Sequence, residues 1–263
     1  MNTLLIIDPQ YDFCDPNGAL YVHGADKDME RLADAIDVIK GDFDEMVVTL
    51  DTHNIIDIAH PIWWIDADGN SPAPFTIITS EDIKNNKWIT RDPLNQEWSE
   101  MYVEVLDNEG KYPLCIWPEH CIRGTIGHTI YPRLNEALNN WERITNTPVK
   151  AVNKGENIYT EHYSAVKAEI KVSDDPYTDV NLNLIKELDR AELIFVAGQA
   201  LSHCVANTVR DLMVHINPNK FVLIRDTMSN VTGFEDMGDQ FIQDFKALGG
   251  GITTTGDLKN AVN

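Results

Sequence analysis

The chain has 263 residues and a formal net charge of −21 at pH 7. This surplus of acidic side chains argues against binding to nucleic acid or to an anionic membrane, since both need clustered lysine and arginine. It favours a small-molecule ligand. No apolar stretch approaches the roughly 20 residues of a membrane span, and the short apolar run after Met1 lacks the basic residues of a signal peptide.

Four cysteines are spread along the chain without a C-x-x-C pair, at Cys14, Cys115, Cys121 and Cys204. So few cysteines in a long chain are not typical of a secreted protein held by disulfides. We therefore expect reduced thiols and a cytoplasmic location. The length, and the lack of an interdomain linker, predict a single domain over residues 1–263.

Short apolar runs alternate with helical patterns along most of the chain. Between the runs, apolar residues recur at helical spacing, as at Met29, Leu32 and Ile36. Six strands that alternate with helices predict an α/β fold of three layers (α/β/α), in which helices cover both faces of a mostly parallel six-stranded sheet. The predicted strands are 4–7, 46–50, 149–152, 193–196, 221–224 and 252–255.

Residues 54–114 interrupt this alternation and form a long insertion. Long excursions of this kind usually cover a site or an interface. Within the insertion, the runs 102–106 and 111–117 flank Asp107-Asn108-Glu109-Gly110, which predicts a β-hairpin. The insertion also holds four of the six tryptophans, which are Trp63, Trp64, Trp88 and Trp98.

Residues with catalytic chemistry follow four of the predicted strands. Asp8 follows the first strand, Asp51 and His53 follow the second, and Lys154 follows the third. Cys204 comes soon after the fourth, where a helix should begin, and a helix N-terminus can lower a thiol pKa from its usual value of about 8.5. Since parallel strands end at one edge of their sheet, we expect these residues to lie close together.

An aspartate, a lysine and a cysteine in contact can perform covalent catalysis. The carboxylate takes the thiol proton, and the ammonium stabilises the thiolate. Each residue also has an ordinary structural explanation: Cys204 as a core cysteine, Asp8 as a turn cap and Lys154 as a solvated lysine. Their convergence at one sheet edge favours the catalytic interpretation.

Five motifs occur in order along the chain. They are Asp8-x-Gln10-x-Asp12-Phe13-Cys14, Asp51-Thr52-His53, Trp117-Pro118-Glu119-His120-Cys121, Asn153-Lys154-Gly155 with Tyr163-Ser164-Ala165, and Gly198-x-Ala200-x-x-x-Cys204-Val205. Together they resemble the nicotinamidases of the isochorismatase-like cysteine hydrolase superfamily. The resemblance implies that fold, and the deamidation of nicotinamide or a similar small heteroaromatic amide to the acid and ammonia.

The resemblance also implies roles for single residues. Asp8 would be the acid and base, Lys154 would stabilise the thiolate, and Cys204 would form a thioester with the substrate. The backbone N–H groups of Ala200 and Cys204 would hold the oxyanion, next to a cis peptide between Gln199 and Ala200. The residues expected to contact the substrate are Phe13, Trp117 and Gln199.

A divalent metal ion is implied as well, held by Asp51, His53 and His120 and meeting a ring nitrogen of the substrate. This ligand set suits Zn²⁺, our first choice, and also Fe²⁺ or Mn²⁺. His60 is either a fourth ligand or a neighbouring histidine that does not bind the metal. We also expect a homo-oligomer, with the tryptophan-rich insertion as one candidate interface.

Ser202 departs from the family pattern, because nicotinamidases commonly carry an acidic residue two positions before the nucleophile. The substrate is therefore less well predicted than the reaction. One alternative is another cysteine hydrolase of the superfamily, acting on an N-carbamoyl compound or a different small amide. A second alternative, outside the enzymes, is a non-catalytic binding protein with the same fold.

Overall fold

A computed structural model describes residues 1–39 and 41–262. The strands in this part of the chain are β1 (Asn2–Ile7), β2 (Glu45–Asp51), β3 (Trp64–Ile65), β4 (Ile77–Ile78), β5 (Ile89–Thr90), β6 (Leu114–Cys115), β7 (Lys150–Lys154), β8 (Leu193–Gly198), β9 (Phe221–Ile224) and β10 (Gly251–Thr253). The α-helices are α1 (Tyr11–Cys14), α2 (Ala25–Ile39), α3 (Ser80–Lys84), α4 (Gln96–Asn108), α5 (Pro132–Thr145), α6 (Leu182–Leu188), α7 (Ala206–His215), α8 (Glu235–Ala247) and α9 (Leu258–Val262).

Six of the strands form one sheet in the order β10-β9-β8-β1-β2-β7, and every neighbouring pair in it is parallel. The predicted α/β fold and its six-stranded sheet are confirmed. The central strands are buried on both faces, because consecutive side chains point to opposite faces and residues Leu4 to Ile7 are all fully buried. Helices α2 and α5 pack on each other, as do α7 and α8.

The insertion lies outside this sheet and forms small elements of its own. Strand β3 pairs with β5, and β4 pairs with β6, each in an antiparallel pair. The predicted hairpin is wrong, because residues 102–106 belong to helix α4. Tyr102 and Val103 suggested a strand by residue type, but they lie on the buried face of the helix with Ser99 and Leu106, at helical spacing.

The single-domain organisation predicted for residues 1–263 stays a prediction. Among the helices of residues 1–39 and 41–262, none is long and apolar enough to cross a membrane.

Candidate active site

Four neighbouring strands bring the predicted residues to one edge of the sheet. Asp8 directly follows β1, while Asp51 and Lys154 are the last residues of β2 and β7 and are register partners. Strand β8 ends level with β1, and Cys204 lies just beyond it in a π-helical turn, Leu201–Val205. The common edge expected from parallel strands therefore exists, and the turn presents the cysteine over it.

A buried ammonium joins these residues. Lys154 Nζ lies 2.9 Å from Asp8 Oδ2 and 3.0 Å from Asp51 Oδ1. It also lies 3.7 Å from Cys204 Sγ, and it donates to the carbonyl of His162 at 2.8 Å. Burial alone lowers the pKa of Lys154, but Asp51 and Asp8 raise it well above its ordinary value. The group is therefore a fixed positive charge beside the sulfur.

The Cys204 thiol does not have the low pKa expected at a helix N-terminus. Burial raises its pKa well above the usual value, and the carboxylates of Asp8 and Asp51 raise it further against the opposing effect of Lys154. That expectation is corrected, since desolvation and two nearby acids outweigh the helix end. The resting group is a thiol, and it needs a base.

Asp8 is the residue predicted to act as a base, and Thr49 fixes its carboxylate. The N–H of Asp8 donates to Thr49 Oγ1 at 3.0 Å, and the Thr49 hydroxyl donates back to Asp8 Oδ1. Burial raises the pKa of Asp8, although Lys154 opposes this, and Asp51 raises it as well. A fixed carboxylate with a raised pKa holds a proton more tightly than an ordinary aspartate does, which suits proton transfer from the thiol.

Asp51 also belongs to a group of three side chains that could hold a metal ion, Asp51, His53 and His120, which we call the metal group. Its Oδ2 lies 3.2 Å from His53 Nε2 and 3.7 Å from His120 Nε2, and one ligand atom from each residue lies within 4.8 Å of the others. The opposite ring nitrogens are engaged, His53 Nδ1 with Asp57 Oδ2 at 3.1 Å and His120 Nδ1 with the Pro118 carbonyl at 2.8 Å. The Nε2 atoms therefore face the carboxylate, as ligands of one metal ion do.

His60 lies beside the metal group, and one of its ring nitrogens makes no hydrogen bond among the described residues. Its ring centre is 5.3 Å from that of His53 and 5.5 Å from that of His120. Nδ1 is 3.1 Å from the Ile55 carbonyl, whereas buried Nε2 has no hydrogen-bond partner among the described residues. Burial lowers the pKa of His60 to about 4, so the ring is neutral and Nε2 can act as a ligand.

A pocket opens over the sulfur and the metal group. Phe13 and Trp117, which were predicted to contact the substrate, both line it, and the Phe13 ring packs edge-on against His120 with centroids 5.4 Å apart. Its other lining residues include Leu20, Val22, Asp51, His53, Glu161, His162, Tyr163, Ala200, His203, Cys204 and Val231.

Gln199 is placed differently from its prediction. Its side chain is fully buried and outside the pocket lining, with Nε2 donating to Asp28 Oδ2 at 2.8 Å and Oε1 accepting from the Ser229 N–H at 3.1 Å. The Gln199 side chain therefore lies away from the predicted substrate contact and supports residues 198–205, which we call the nucleophile loop. The peptide bond between Gln199 and Ala200 is cis, as the resemblance implied.

Comparisons with known proteins identify the fold that carries this site. No protein-family model matches the chain. Nicotinamidase of Saccharomyces cerevisiae (strain ATCC 204508 / S288c) is 23% identical over 208 residues, 79% of each chain. The structure of yeast nicotinamidase Pnc1p covers 96% of this chain and 99% of its own, with a TM-score of 0.67 at 18% identity. The chain has the nicotinamidase fold.

Two further structures share the nicotinamidase fold. The Acinetobacter baumanii nicotinamidase/pyrazinamidase is 21% identical, with a TM-score of 0.66 and coverage of 98% of this chain and 97% of that one. Pyrazinamidase of Pyrococcus horikoshii, solved in complex with zinc, is 19% identical, with a TM-score of 0.57 and coverage of 96% and 98%. The resemblance drawn from the five motifs is thereby confirmed at the level of the fold.

The structure adds residues to the site for which the motifs had given no role. Glu161 lines the pocket, and burial raises its pKa to about 8, so it is largely protonated at neutral pH. His162 positions Lys154 through its carbonyl, while burial lowers the pKa of its ring to about 3. His203 and Tyr163 form part of the pocket wall. Tyr163 belongs to a recognised motif, and Glu161 and His162 directly precede it, but nothing in their spacing assigns these roles.

The insertion, residues 54–114, also contacts segments of the candidate active site. Tyr112 donates its hydroxyl hydrogen to the Ser202 carbonyl at 2.8 Å, and Tyr102 accepts from the Glu161 N–H at 3.0 Å. Trp98 Nε1 donates to the Tyr159 carbonyl at 2.8 Å. The insertion therefore packs on both the nucleophile loop and the segment after Lys154.

Gly155, directly after the lysine, allows the close approach of the metal group. Its φ is +78°, and a Cβ there would come within 2.6 Å of Asp51 Oδ1. We expect Gly155→Ala to cost about 1–2 kcal/mol for the backbone and about 1–3 kcal/mol more for crowding. Gly69→Ala is the matched control, because φ is +83° there and a Cβ would have no neighbour within 4 Å. Denaturant unfolding of both variants measures the difference, and equal losses would contradict the crowding.

Proposed function

We propose that this protein is a cysteine amidase that hydrolyses nicotinamide, or a similar small heteroaromatic amide, to the acid and ammonia. The observation that carries the proposal is the Lys154 ammonium, 2.9 Å from Asp8, 3.0 Å from Asp51 and 3.7 Å from Cys204. It connects a nucleophile, a base and a metal-ligating carboxylate beside one pocket. The relatives named nicotinamidase support the choice of amide.

Proton transfer from Cys204 to Asp8 begins the proposed reaction. The sulfur then attacks the amide carbon, and Lys154 stabilises the negative charge that develops beside it. Asp8 returns the proton to the departing nitrogen, so that ammonia leaves and a thioester remains. Asp8 next takes a proton from water, whose oxygen attacks the thioester carbon. The C–S bond then breaks and releases the acid, and Asp8 returns the proton to the sulfur, which restores the Cys204 thiol.

The nucleophile loop supplies the donors for the oxyanion, which we assign to the N–H groups of Ala200 and Cys204. In support, the N–H groups of Leu201 and Val205 are engaged with the carbonyls of Ser229 and Ala200. The N–H of Ala200 has no acceptor within the described part of the chain. A free, fixed N–H beside the sulfur is what charge development on the amide oxygen requires.

We assign the metal to Asp51, His53 and His120, with zinc as the first choice. One carboxylate and two imidazoles match a common zinc ligand set, although Fe²⁺ or Mn²⁺ suits it as well. The buried, unbonded Nε2 of His60 makes that residue the candidate for a fourth ligand. A bound divalent ion would act as a Lewis acid and hold a ring nitrogen of the substrate.

Phe13 and Trp117 are the residues we propose to hold the substrate ring. Both are largely buried and present aromatic surface to the pocket, next to the sulfur and the metal group. Flat aromatic walls favour a planar ring over an aliphatic chain of the same length. This supports a heteroaromatic amide over an aliphatic N-carbamoyl compound.

The proposal is tested by the release of ammonia from nicotinamide, measured with a coupled assay on protein loaded with zinc, iron(II) or manganese(II). We expect turnover with nicotinamide and a loss of turnover after treatment with a chelator. Hydrolysis of N-carbamoyl compounds in place of nicotinamide would retain the cysteine chemistry and replace the substrate. Binding of amides without release of ammonia under any metal would favour the non-catalytic interpretation.

We also propose that the protein is cytoplasmic and forms a homo-oligomer. In support of a reducing compartment, Cys14, Cys115, Cys121 and Cys204 are all unpaired. In support of a subunit interface, the insertion exposes several large apolar side chains. These are Ile55, Ile56, Phe75, Leu94 and Met101.

A further inference from the structure

His203, directly before the nucleophile, stands in an aromatic enclosure at the pocket wall. It is 4% exposed. Burial lowers the pKa of its ring to about 4, so the imidazole is neutral at pH 7 and carries a single N–H. The surrounding rings, with centroids 4.8 to 5.6 Å from that of His203, are those of Tyr112, Trp117, Tyr163 and Phe234.

Ser202 decides which ring nitrogen carries that hydrogen. Its Oγ lies 2.9 Å from His203 Nδ1 and accepts from the N–H of Val231 at 3.1 Å. Ser202 is fully buried. Among the described residues, His203 Nδ1 is the one acceptor that its hydroxyl hydrogen can reach. If Nδ1 carried the hydrogen, the hydroxyl would be buried without an acceptor, which costs free energy. The hydroxyl therefore donates to Nδ1, and the ring N–H is at Nε2.

Among the described residues, His203 Nε2 makes no hydrogen bond, so its N–H has no partner there. His203 lines the same pocket as Cys204. We propose that Ser202 holds His203 in the tautomer that presents Nε2–H to the substrate, and that this donor selects heteroaromatic amides with an acceptor besides the ring nitrogen assigned to the metal. The inference rests on the proposed amidase function. Ser202 is a positioning residue, and His203 a specificity-determining one.

The selection depends on the lack of hydrogen-bond acceptors around the His203 Nε2–H donor. The carbon rings around His203 are poor acceptors, and the two tyrosine hydroxyls among them are engaged elsewhere, Tyr163 with Trp117 Nε1 and Tyr112 with the Ser202 carbonyl. A substrate without a second acceptor therefore leaves the N–H unpaired once water is excluded. Sites built to hydrogen-bond a substrate group reject analogues that lack it. Diazine carboxamides, with a second ring nitrogen, are the class that meets this requirement with least added bulk.

The test compares nicotinamide with three diazine carboxamides. Pyrazinamide, pyrimidine-5-carboxamide and pyridazine-4-carboxamide add a second nitrogen at the ortho, the other meta or the para position to the carboxamide. We measure kcat/KM for each, relative to nicotinamide, with the wild type, His203→Phe and His203→Gln. Phenylalanine keeps an aromatic ring without a donor, whereas glutamine keeps an N–H. Because the intrinsic reactivity of each amide is the same for every enzyme, a change in this ratio between enzymes reports the contact.

For at least one diazine we expect the ratio to fall about five- to tenfold in His203→Phe, which is the loss of one hydrogen bond. His203→Gln should recover most of it. Ratios unchanged in His203→Phe for all three diazines would overturn the proposal.

The tautomer is tested separately by the imidazole ¹⁵N spectrum of the folded protein, which needs no turnover, and the His203 signals are identified by their absence in His203→Phe. We expect a protonated Nε2 and an unprotonated Nδ1, and a mixture of the two tautomers in Ser202→Ala. A protonated Nδ1 in the wild type would overturn the proposal. Absence of ammonia from all four amides would instead refute the amidase function, and the nitrogen spectrum would still decide the tautomer.

Discussion

Cys204→Ala is expected to reduce the hydrolysis of nicotinamide by roughly a thousandfold or more, because the nucleophile of a covalent mechanism has no substitute in the site. The remaining contacts to the substrate are not removed, so binding of the amide should survive. Activity is measured as ammonia release, and binding by calorimetry. A variant that binds the amide without turning it over would separate the role of the sulfur in chemistry from any role in binding.

Cys115→Ala provides the matched control. Cys115 is also buried and unpaired, but it lies in β6 and is not among the pocket-lining residues. It should retain most of the activity after any loss of stability is taken into account. Rapid quenching of the wild type should also trap an acyl adduct on the Cys204 peptide. Full activity in Cys204→Ala would refute the thioester mechanism.

The double variant His53→Ala, His120→Ala is expected to lose its metal and to reduce activity about a hundredfold or more, since Lewis-acid assistance contributes several kcal/mol to catalysis. Both imidazoles direct Nε2 at Asp51 Oδ2, at 3.2 and 3.7 Å. Removing them leaves Asp51 as the one assigned ligand. Metal content by elemental analysis after dialysis is the direct measurement, and activity is the second. Unchanged metal content in the double variant would remove the metal assignment.

Asp57→Asn tests the same site more finely. Asp57 Oδ2 lies 3.1 Å from His53 Nδ1 and orients that ring, so its replacement should weaken metal affinity or activity by about 10- to 100-fold. His215→Ala, at an exposed position of α7, is the control and should change neither.

The six strands of the main sheet, and amphipathic helices such as α2, could be predicted because their signals are local. Buried parallel strands are short runs of apolar residues, and the predicted strand 221–224 agrees with β9 at both ends. The predicted hairpin failed in the insertion, where Tyr102 and Val103 have strand-like side chains. There, burial of one helical face in the tertiary structure outweighed the local preference of the residues.

In the candidate site, too, local patterns predicted some features and long-range contacts decided others. Cys204 was placed correctly beyond β8, but its raised pKa follows from burial beside Asp8 and Asp51, which are distant in sequence. Gln199 lies in a recognised motif, yet its amide is engaged by Asp28, 171 residues away. Long-range contacts of this kind leave no periodicity or spacing in the chain, so motif analysis cannot supply them.

The sequence by itself therefore determined the fold class, the sheet edge and the residue types gathered there, since strand ends and ordered motifs are local patterns. Only the tertiary structure decided protonation and hydrogen bonding within the site. It made Cys204 a thiol in need of a base, assigned the hydrogen of His203 through Ser202, and placed Tyr112 of the insertion against the nucleophile loop. The physical reason is that charge and hydrogen-bond states depend on burial and on neighbours brought together by folding.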